Sequence, residues 1–125
     1  MGFEQILQKI VDECGGGYGA ALMGLDGISI AQVSASTSPD ADPLEGDVTT
    51  AGIEFGRVLT DVTKASDALA TGLMREAVIS LDRVTLVFHT IEDDLLLVLA
   101  IAPDGNLGKA RYLVRRSAVE VRAEL

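Results

Sequence analysis

The sequence has 125 residues, of which 48% are hydrophobic, a single cysteine and a formal net charge of −9. This length fits one domain, residues 1–125, which can bury about two-thirds of its unfolded surface. The acidic excess argues against a nucleic-acid binder, the lone cysteine excludes an intramolecular disulfide, and the apolar runs are too short to cross a bilayer. The N-terminus, MGFEQILQKIVDE, contains acids and no uninterrupted apolar stretch, so it is not a secretory signal. We therefore expect a cytoplasmic protein.

The charges are distributed unevenly along the chain. Residues 26–104 contain fourteen acids and four bases, whereas residues 106–125 contain five bases and two acids. The last segment therefore predicts an electropositive face on an otherwise acidic body. The alternative is an ordinary solvated helix face.

Hydrophobic spacing predicts a helix, a hairpin and a loop in the first third of the chain. Apolar residues recur at helical spacing over residues 3–14, and three glycines then end the helix. Two apolar runs, at about 18–25 and 28–34, flank the dipeptide Asp-Gly, which is typical of a two-residue hairpin turn. Residues 35–46 are rich in Ser, Asp and Pro and predict a surface loop.

A long helix is predicted over residues 47–69, with Asp47 as its N-cap. At 100° per residue, one arc predicts the stripe that faces the core. This arc contains Val48, Ala51, Phe55, Val58, Leu59, Val62, Ser66 and Leu69. The remaining polar arc, which predicts a solvated face, contains Thr50, Glu54, Arg57, Asp61 and Lys64.

Between these two arcs lies a set of mostly small, uncharged residues. They are Thr49, Gly52, Ile53, Gly56, Thr60 and Thr63. A glycine inside a helix costs about 0.5–1 kcal/mol relative to alanine, so two of them four residues apart indicate a close approach by another backbone. That backbone belongs either to the same helix of a second subunit or to a neighbouring element of the same chain.

Three strands and a final helix are predicted in the rest of the chain. LMREAVISL alternates, VTLVFHTI is nearly all apolar or β-branched, and LLLVLAIA is continuously apolar, as in a central strand covered on both faces. Asn106 then caps the last helix. The order α-β-β-α-β-β-β-α predicts an α+β fold with a five-stranded antiparallel sheet. The strand at about 74–81 should lie on an edge, where it invites pairing with a second subunit.

No catalytic or metal-binding motif is present. The only histidine, His89, lies in an apolar strand without a Cys or an acid at ligand spacing, so we interpret it as a structural residue that reaches a hydrogen-bond partner or solvent. The sequence lacks both G-x-S-x-G and Ser-x-x-Lys, and Cys14 lies on an apolar helix face. The run Gly15–Gly19 follows a helix and enters a strand, the reverse of the order that directs backbone amides at phosphate. We therefore expect no enzyme activity, no cofactor and no metal.

The sequence resembles the Roadblock/dynein light chain family over essentially its whole length, and in particular its bacterial MglB-like members. The hairpin GAALMGLDGISIAQV and the run RVTLVFHTIEDDLLLVLAIAPDGNLGKARYLVRRSAVEV carry the resemblance. It implies a profilin-like sandwich with helices on both faces of the sheet, in which two subunits pair through the middle helix and the edge strand. The implied homodimer contacts are Thr49, Gly52, Ile53, Gly56, Thr60 and Thr63 of the helix, and Arg75, Ala77 and Ile79 of the strand.

The resemblance also implies a function. MglB-like dimers bind a small Ras-like GTPase across the paired middle helices and speed GTP hydrolysis by rearranging the GTPase's own catalytic groups, in systems for cell polarity and gliding motility. The implied contacts here are Glu54, Arg57, Asp61 and Lys64, with Arg57 not acting as a catalytic arginine. Some of these proteins continue into a tail that contacts the GTPase, and we expect activity that depends on such a tail to be lacking in this sequence. Other family members are scaffold subunits of polarity, motor or signalling complexes without an effect on hydrolysis, and a further regulator can join the assembly.

Overall fold

The computed structural model describes residues 2–36, 42–45, 47–92 and 94–125. In these ranges the elements are α1 (Phe3–Glu13), β1 (Gly17–Gly24), β2 (Ser29–Ser34), α2 (Val48–Leu69), β3 (Glu76–Ser80), β4 (Thr85–Glu92), β5 (Leu95–Ile101) and α3 (Leu107–Ala123). This order confirms the predicted α-β-β-α-β-β-β-α arrangement. The predicted loop at residues 35–46 lies partly outside the described residues. None of the helices within these ranges is long and apolar enough to span a bilayer.

The five strands form one antiparallel sheet in the order β2-β1-β5-β4-β3. β5 lies at the centre and all of its residues are buried, as its continuous apolar sequence predicts. β3 pairs with β4 on one side and has no neighbouring strand on the other within the described ranges. The prediction that this strand lies on an edge is therefore confirmed.

The sheet separates two hydrophobic cores. One core lies between the sheet and the helices α1 and α3, and it includes Ile10, Leu97 and Val114. Cys14 is fully buried in this core, and burial raises the pKa of its thiol, which agrees with its interpretation as a small core residue. The other core lies between the sheet and α2, and it includes Phe88. The predicted sandwich with helices on both faces is therefore confirmed.

The middle helix α2 is capped as predicted but covers only part of the sheet. The carboxylate of Asp47 accepts a hydrogen bond from the backbone N–H of Thr50 at 3.2 Å and another from its hydroxyl. The helix then runs over β1, β5 and β2. Four residues from its first two-thirds are buried, namely Val48, Ala51, Gly52 and Leu59.

The predicted core stripe of α2 is wrong at three positions. Val58, Val62 and Leu69 are 50%, 41% and 73% exposed. The helix begins with Val48 packed over Gly19. From there α2 extends about 32 Å to its end, whereas β1 extends only about 17 Å further. Leu59 is the last buried residue of α2. Val62 and Leu69 lie beyond it, where the helix is longer than β1, whereas Val58, about 15 Å along the helix, is exposed because it lies to one side of Leu59.

The two glycines of α2 have different surroundings. A Cβ atom at Gly52 would collide with the side chain of Met23 and would lie 3.4 Å from Val98. At Gly56 no heavy atom lies within 4 Å of the position that a Cβ would occupy. At Gly52 the helix is therefore approached by side chains of its own chain and not by the backbone that the glycine spacing predicts, whereas Gly56 faces open space.

An ion-pair cluster that the sequence analysis missed joins β3 to α3. The Nε and Nη2 atoms of Arg111 each donate a hydrogen bond of 2.8 Å to the carboxylate of Glu76. Arg115 Nη2 lies 3.4 Å from the same carboxylate. Mainly because of the bonds from Arg111, the pKa of Glu76 is lowered to about 2. The edge strand is thus tied to the helix on one face of the sheet.

The glycine environments lead to a stability prediction. We expect Gly56→Ala to raise the free energy of unfolding by about 0.5–1 kcal/mol, because alanine favours the helix and no atom of the same chain lies close to its methyl group. Gly52→Ala gains the same preference but has to displace the buried Met23 side chain, so it should be less stable than Gly56→Ala by about 1–3 kcal/mol. Urea unfolding at one protein concentration measures the difference, and equal stabilisation by the two variants would contradict the assignment.

The ion pair leads to a prediction about acid stability. The pKa of Glu76 is depressed from 4.5 to about 2 on folding. Its contribution is therefore fully present above about pH 4.5 and is lost as the pH falls through about 2. We expect Glu76→Gln and Arg111→Gln each to lose less stability than the wild type between about pH 5 and pH 2. Denaturant unfolding across this range tests this, and a wild-type slope in either variant would show that the pair is not responsible.

Candidate protein–protein interface

Three exposed aliphatic residues of α2 lie on the flank that faces the β3 edge of the sheet. Phe55 contacts Phe88 of β4, with their ring centroids 6.3 Å apart. Val58 and Val62 follow Phe55 by three and seven residues, so they lie on the same side of the helix. Leu69 continues this row at the helix end. We call Val58, Val62 and Leu69 the aliphatic flank of α2.

The edge strand β3 lies beyond this flank. Ala77 and Ile79 are half-buried and pack against the core on the α2 side. Val78, whose side chain points to the opposite face, is exposed, and so is Leu81 just after the strand. An edge strand with a free side and an aliphatic helix flank on the same side of a sheet form a surface that a second polypeptide can both pair with and cover.

The small arc of α2 lies on its other flank, towards the β1–β2 turn. With that turn it forms a cleft of about 200 Å³. The α2 residues of this cleft are Gly52, Ile53, Gly56, Arg57 and Thr60. Met23 occupies the space over Gly52, and the side-chain oxygen of Gln32 accepts hydrogen bonds from the backbone N–H and the hydroxyl of Thr49 at 2.9 and 3.0 Å. This arc is thus partly engaged by its own chain.

The threonines of the same arc are also hydrogen-bonded within the helix. The Thr60 hydroxyl donates to the carbonyl oxygen of Gly56 at 3.0 Å, and the Thr63 hydroxyl donates to that of Leu59 at 3.1 Å. Ile53 remains 41% exposed at the mouth of the cleft. The contact of this arc with a second subunit stays a prediction for Thr49, Gly52, Ile53, Gly56, Thr60 and Thr63. The structure adds a second exposed surface, the aliphatic flank, which the periodicity predicts to be part of the core.

The polar arc of α2 faces away from the sheet. Glu54, Arg57, Asp61 and Lys64 are all exposed and follow one another at spacings of three and four residues. They therefore form one continuous charged stripe along the helix. Arg75, in contrast, lies just before β3, where it is exposed at the sheet edge. That the stripe contacts a GTPase stays a prediction.

His89 lies beside Glu76 in the pairing of β3 with β4. It is half-buried, its Nδ1 atom is buried without a hydrogen-bond partner in the described structure, and burial lowers the pKa of the imidazole. The sequence interpretation of a histidine that reaches a partner or solvent therefore does not hold for Nδ1. In the described ranges, no three His, Cys, Asp or Glu side chains come together as a metal site.

Comparisons with known proteins identify the family. No protein-family model matches the sequence, and no curated protein matches it. The solved structure of MglC from Myxococcus xanthus is 34% identical, with 100% of both chains covered and a TM-score of 0.70. A Roadblock/LC7 domain from Streptomyces avermitilis is 15% identical over 99% of this chain and 98% of that chain, with a TM-score of 0.81. The gliding protein MglB from Thermus thermophilus is 21% identical over 91% of this chain and 81% of that chain, with a TM-score of 0.75.

The three similarities carry different weight. The Streptomyces and Thermus structures show that the fold is shared. The match to MglC extends along the entire chain at 34% identity, which shows common membership of a family and not only a common fold. The chain belongs to the Roadblock/LC7 family, among the relatives of the bacterial proteins MglC and MglB.

Proposed function

We propose that this chain, as a single domain, is a non-catalytic cytoplasmic protein of a gliding-motility or cell-polarity system, which acts as a homodimer that binds and regulates a small Ras-like GTPase. The observation that carries the proposal is the aliphatic flank of α2 on the same side of the sheet as the free edge of β3. The identity to MglC and the description of the Thermus relative as a gliding protein support the biological setting.

The proposed homodimer uses both parts of this surface. β3 pairs with β3 of a second copy, which continues the sheet across the two-fold axis, and Arg75, Ala77 and Ile79 lie in or next to the joined strands. The α2 helices of the two copies then flank this junction on one face of the combined sheet. Val58 and Val62 lie on the side of α2 that faces the junction, so pairing removes their side chains from water.

The proposed GTPase contact is the charged stripe on the outer side of α2. It presents two acids and two bases, Glu54, Arg57, Asp61 and Lys64, without an apolar residue between them at the same face. In the dimer, two such stripes lie on the same side of the assembly. A surface of this kind contributes orientation and association rate more than buried apolar area, which suits a regulator that has to release its partner.

The dimer is tested by comparing two variants that introduce negative charge at exposed valines. We expect Val58→Glu with Val62→Glu to raise the dimer dissociation constant by at least about 100-fold, which corresponds to about 2.8 kcal/mol, because burying the two unpaired carboxylates costs at least that much. Val119→Glu, at an exposed valine of α3 on the other face of the sheet, should leave the dimer intact. Light scattering over a concentration series measures the mass. A wild type that is still monomeric at about 10 μM, where a homodimer with a dissociation constant of about 1 μM or less is mostly assembled, would contradict the proposal.

The GTPase contact is tested with the Ras-like GTPase of the same organism, loaded with GTP. We expect Arg57→Glu to weaken binding about tenfold, measured by titration calorimetry. Arg57→Lys should retain any acceleration of phosphate release, because Arg57 is not proposed to donate to the transferred phosphate. Acceleration by the wild type identifies a GTPase-activating role, and binding without acceleration identifies a scaffold. Failure of the dimer to bind the GTPase would exclude both.

A further inference from the structure

The helix α3 has a buried face and an outer face of different chemistry. Its buried residues are Ala110, Leu113, Val114, Ser117, Ala118 and Val121. On the outer face, Tyr112, Arg115, Arg116 and Val119 are exposed at the spacing i, i+3, i+4, i+7. These four side chains therefore form one continuous row, which we call the α3 outer stripe.

The α3 outer stripe has the composition of a binding surface. Tyr112 and Val119 are 59% and 62% exposed, although both side chains are uncharged and largely apolar. The guanidinium of Arg116 lies 5.8 Å from the centroid of the Tyr112 ring, a cation–π geometry that limits the freedom of both side chains. Tyrosine and arginine are the residue types that, with tryptophan, contribute most to binding energy at protein interfaces.

The stripe also carries positive charge that the chain neutralises only in part. The Glu76 carboxylate already accepts two hydrogen bonds of 2.8 Å from Arg111, so Arg115 contacts it only at 3.4 Å. The distance from Arg116 to Glu120 is 3.9 Å, at the outer limit of an ion pair. Three arginines of α3 thus share two carboxylates, those of Glu76 in β3 and Glu120 in α3 itself, in a chain whose net charge is −9.

We propose that the α3 outer stripe docks an acidic segment of a partner protein, one that presents Asp or Glu together with apolar side chains. Carboxylates match the planar guanidinium groups of Arg115 and Arg116, which bind them in a bidentate manner. Apolar side chains of the same segment cover Tyr112 and Val119. The charge asymmetry of the sequence then indicates a further binding surface on α3 and not only a solvated helix.

Two other anionic partners fit the stripe less well. A membrane surface requires a wide exposed apolar face on the helix, and the apolar face of α3 is already packed against the sheet and α1. A nucleic-acid backbone matches the arginines but has no apolar groups for Tyr112 and Val119, and the acidic remainder of the chain repels it. A polypeptide segment matches both features.

This surface is separate from the proposed dimer and GTPase contacts. α3 lies on the face of the sheet that it shares with α1, whereas α2 lies on the opposite face. A partner on α3 can therefore be bound at the same time as a GTPase on α2, and its loss would not remove the dimer. The two proposals fail independently of each other.

The test uses a fluorescein-labelled synthetic peptide in which Glu and Leu recur at helical spacing, titrated with the full chain and followed by fluorescence anisotropy. We expect saturable binding that weakens as NaCl is raised from about 0.05 M to about 0.3 M. Arg115→Glu with Arg116→Glu should raise the dissociation constant at least about tenfold, and Tyr112→Ala about tenfold. Circular dichroism and light scattering confirm that each variant is folded and has the wild-type mass.

The control is Arg83→Glu in the exposed turn before β4, which lowers the net charge by two, half the change made by the double variant, without touching α3. It should change the dissociation constant by less than about twofold. The same titrations are made with a Lys-Leu peptide, phosphatidylserine vesicles and duplex DNA. The proposal is overturned if the Glu-Leu peptide shows no saturation, if Arg83→Glu weakens it as much as the α3 variants do, or if vesicles or DNA bind more tightly than the peptide.

Discussion

The close contact between α2 and β1 determines how the rest of the surface is arranged. Gly52 has no side chain, so Met23 packs directly against the helix backbone and holds α2 over β1 and β5. A single helix in that position cannot also cover β3, which is two strands away from β5. α2 is also longer than β1, and none of its residues after Leu59 is buried. The aliphatic flank is a consequence of where this contact places the helix, whereas the free edge of β3 follows from the strand order.

The element order, the strand positions and both long-helix caps were predictable from the sequence because each depends on local periodicity or on one capping residue. The exposure of Val58, Val62 and Leu69 was not predictable, because helical periodicity shows which residues share a face of the helix but not whether another element packs against that face. The glycine spacing indicated a close approach by a backbone, from a second subunit or from the same chain. At Gly52 the approaching group is instead the Met23 side chain of the same chain, which a spacing rule cannot identify.

The ion pair between Glu76 and Arg111 shows a different limit of sequence reasoning. The two residues are 35 positions apart, and no motif or spacing rule connects an edge strand to a helix over that distance. The charge asymmetry of the chain did indicate that the last helix would be basic. It did not indicate that Glu76 would bind Arg111 at 2.8 Å and leave Arg115 only a 3.4 Å hydrogen bond to the same carboxylate.

The proposed surfaces differ in chemistry, and we therefore expect the dimer contact to be long-lived and the contacts of the two charged surfaces to be exchangeable. The aliphatic flank and the β3 edge offer apolar area and backbone hydrogen bonds, whose contribution changes little with salt, as in subunit interfaces that persist. The charged stripe of α2 and the arginines of α3 remain hydrated, so their contacts form quickly, depend on ionic strength and reverse readily. In a chain of this size, the proposed assembly is then a stable homodimer core that carries one exchangeable partner surface on each face of its sheet.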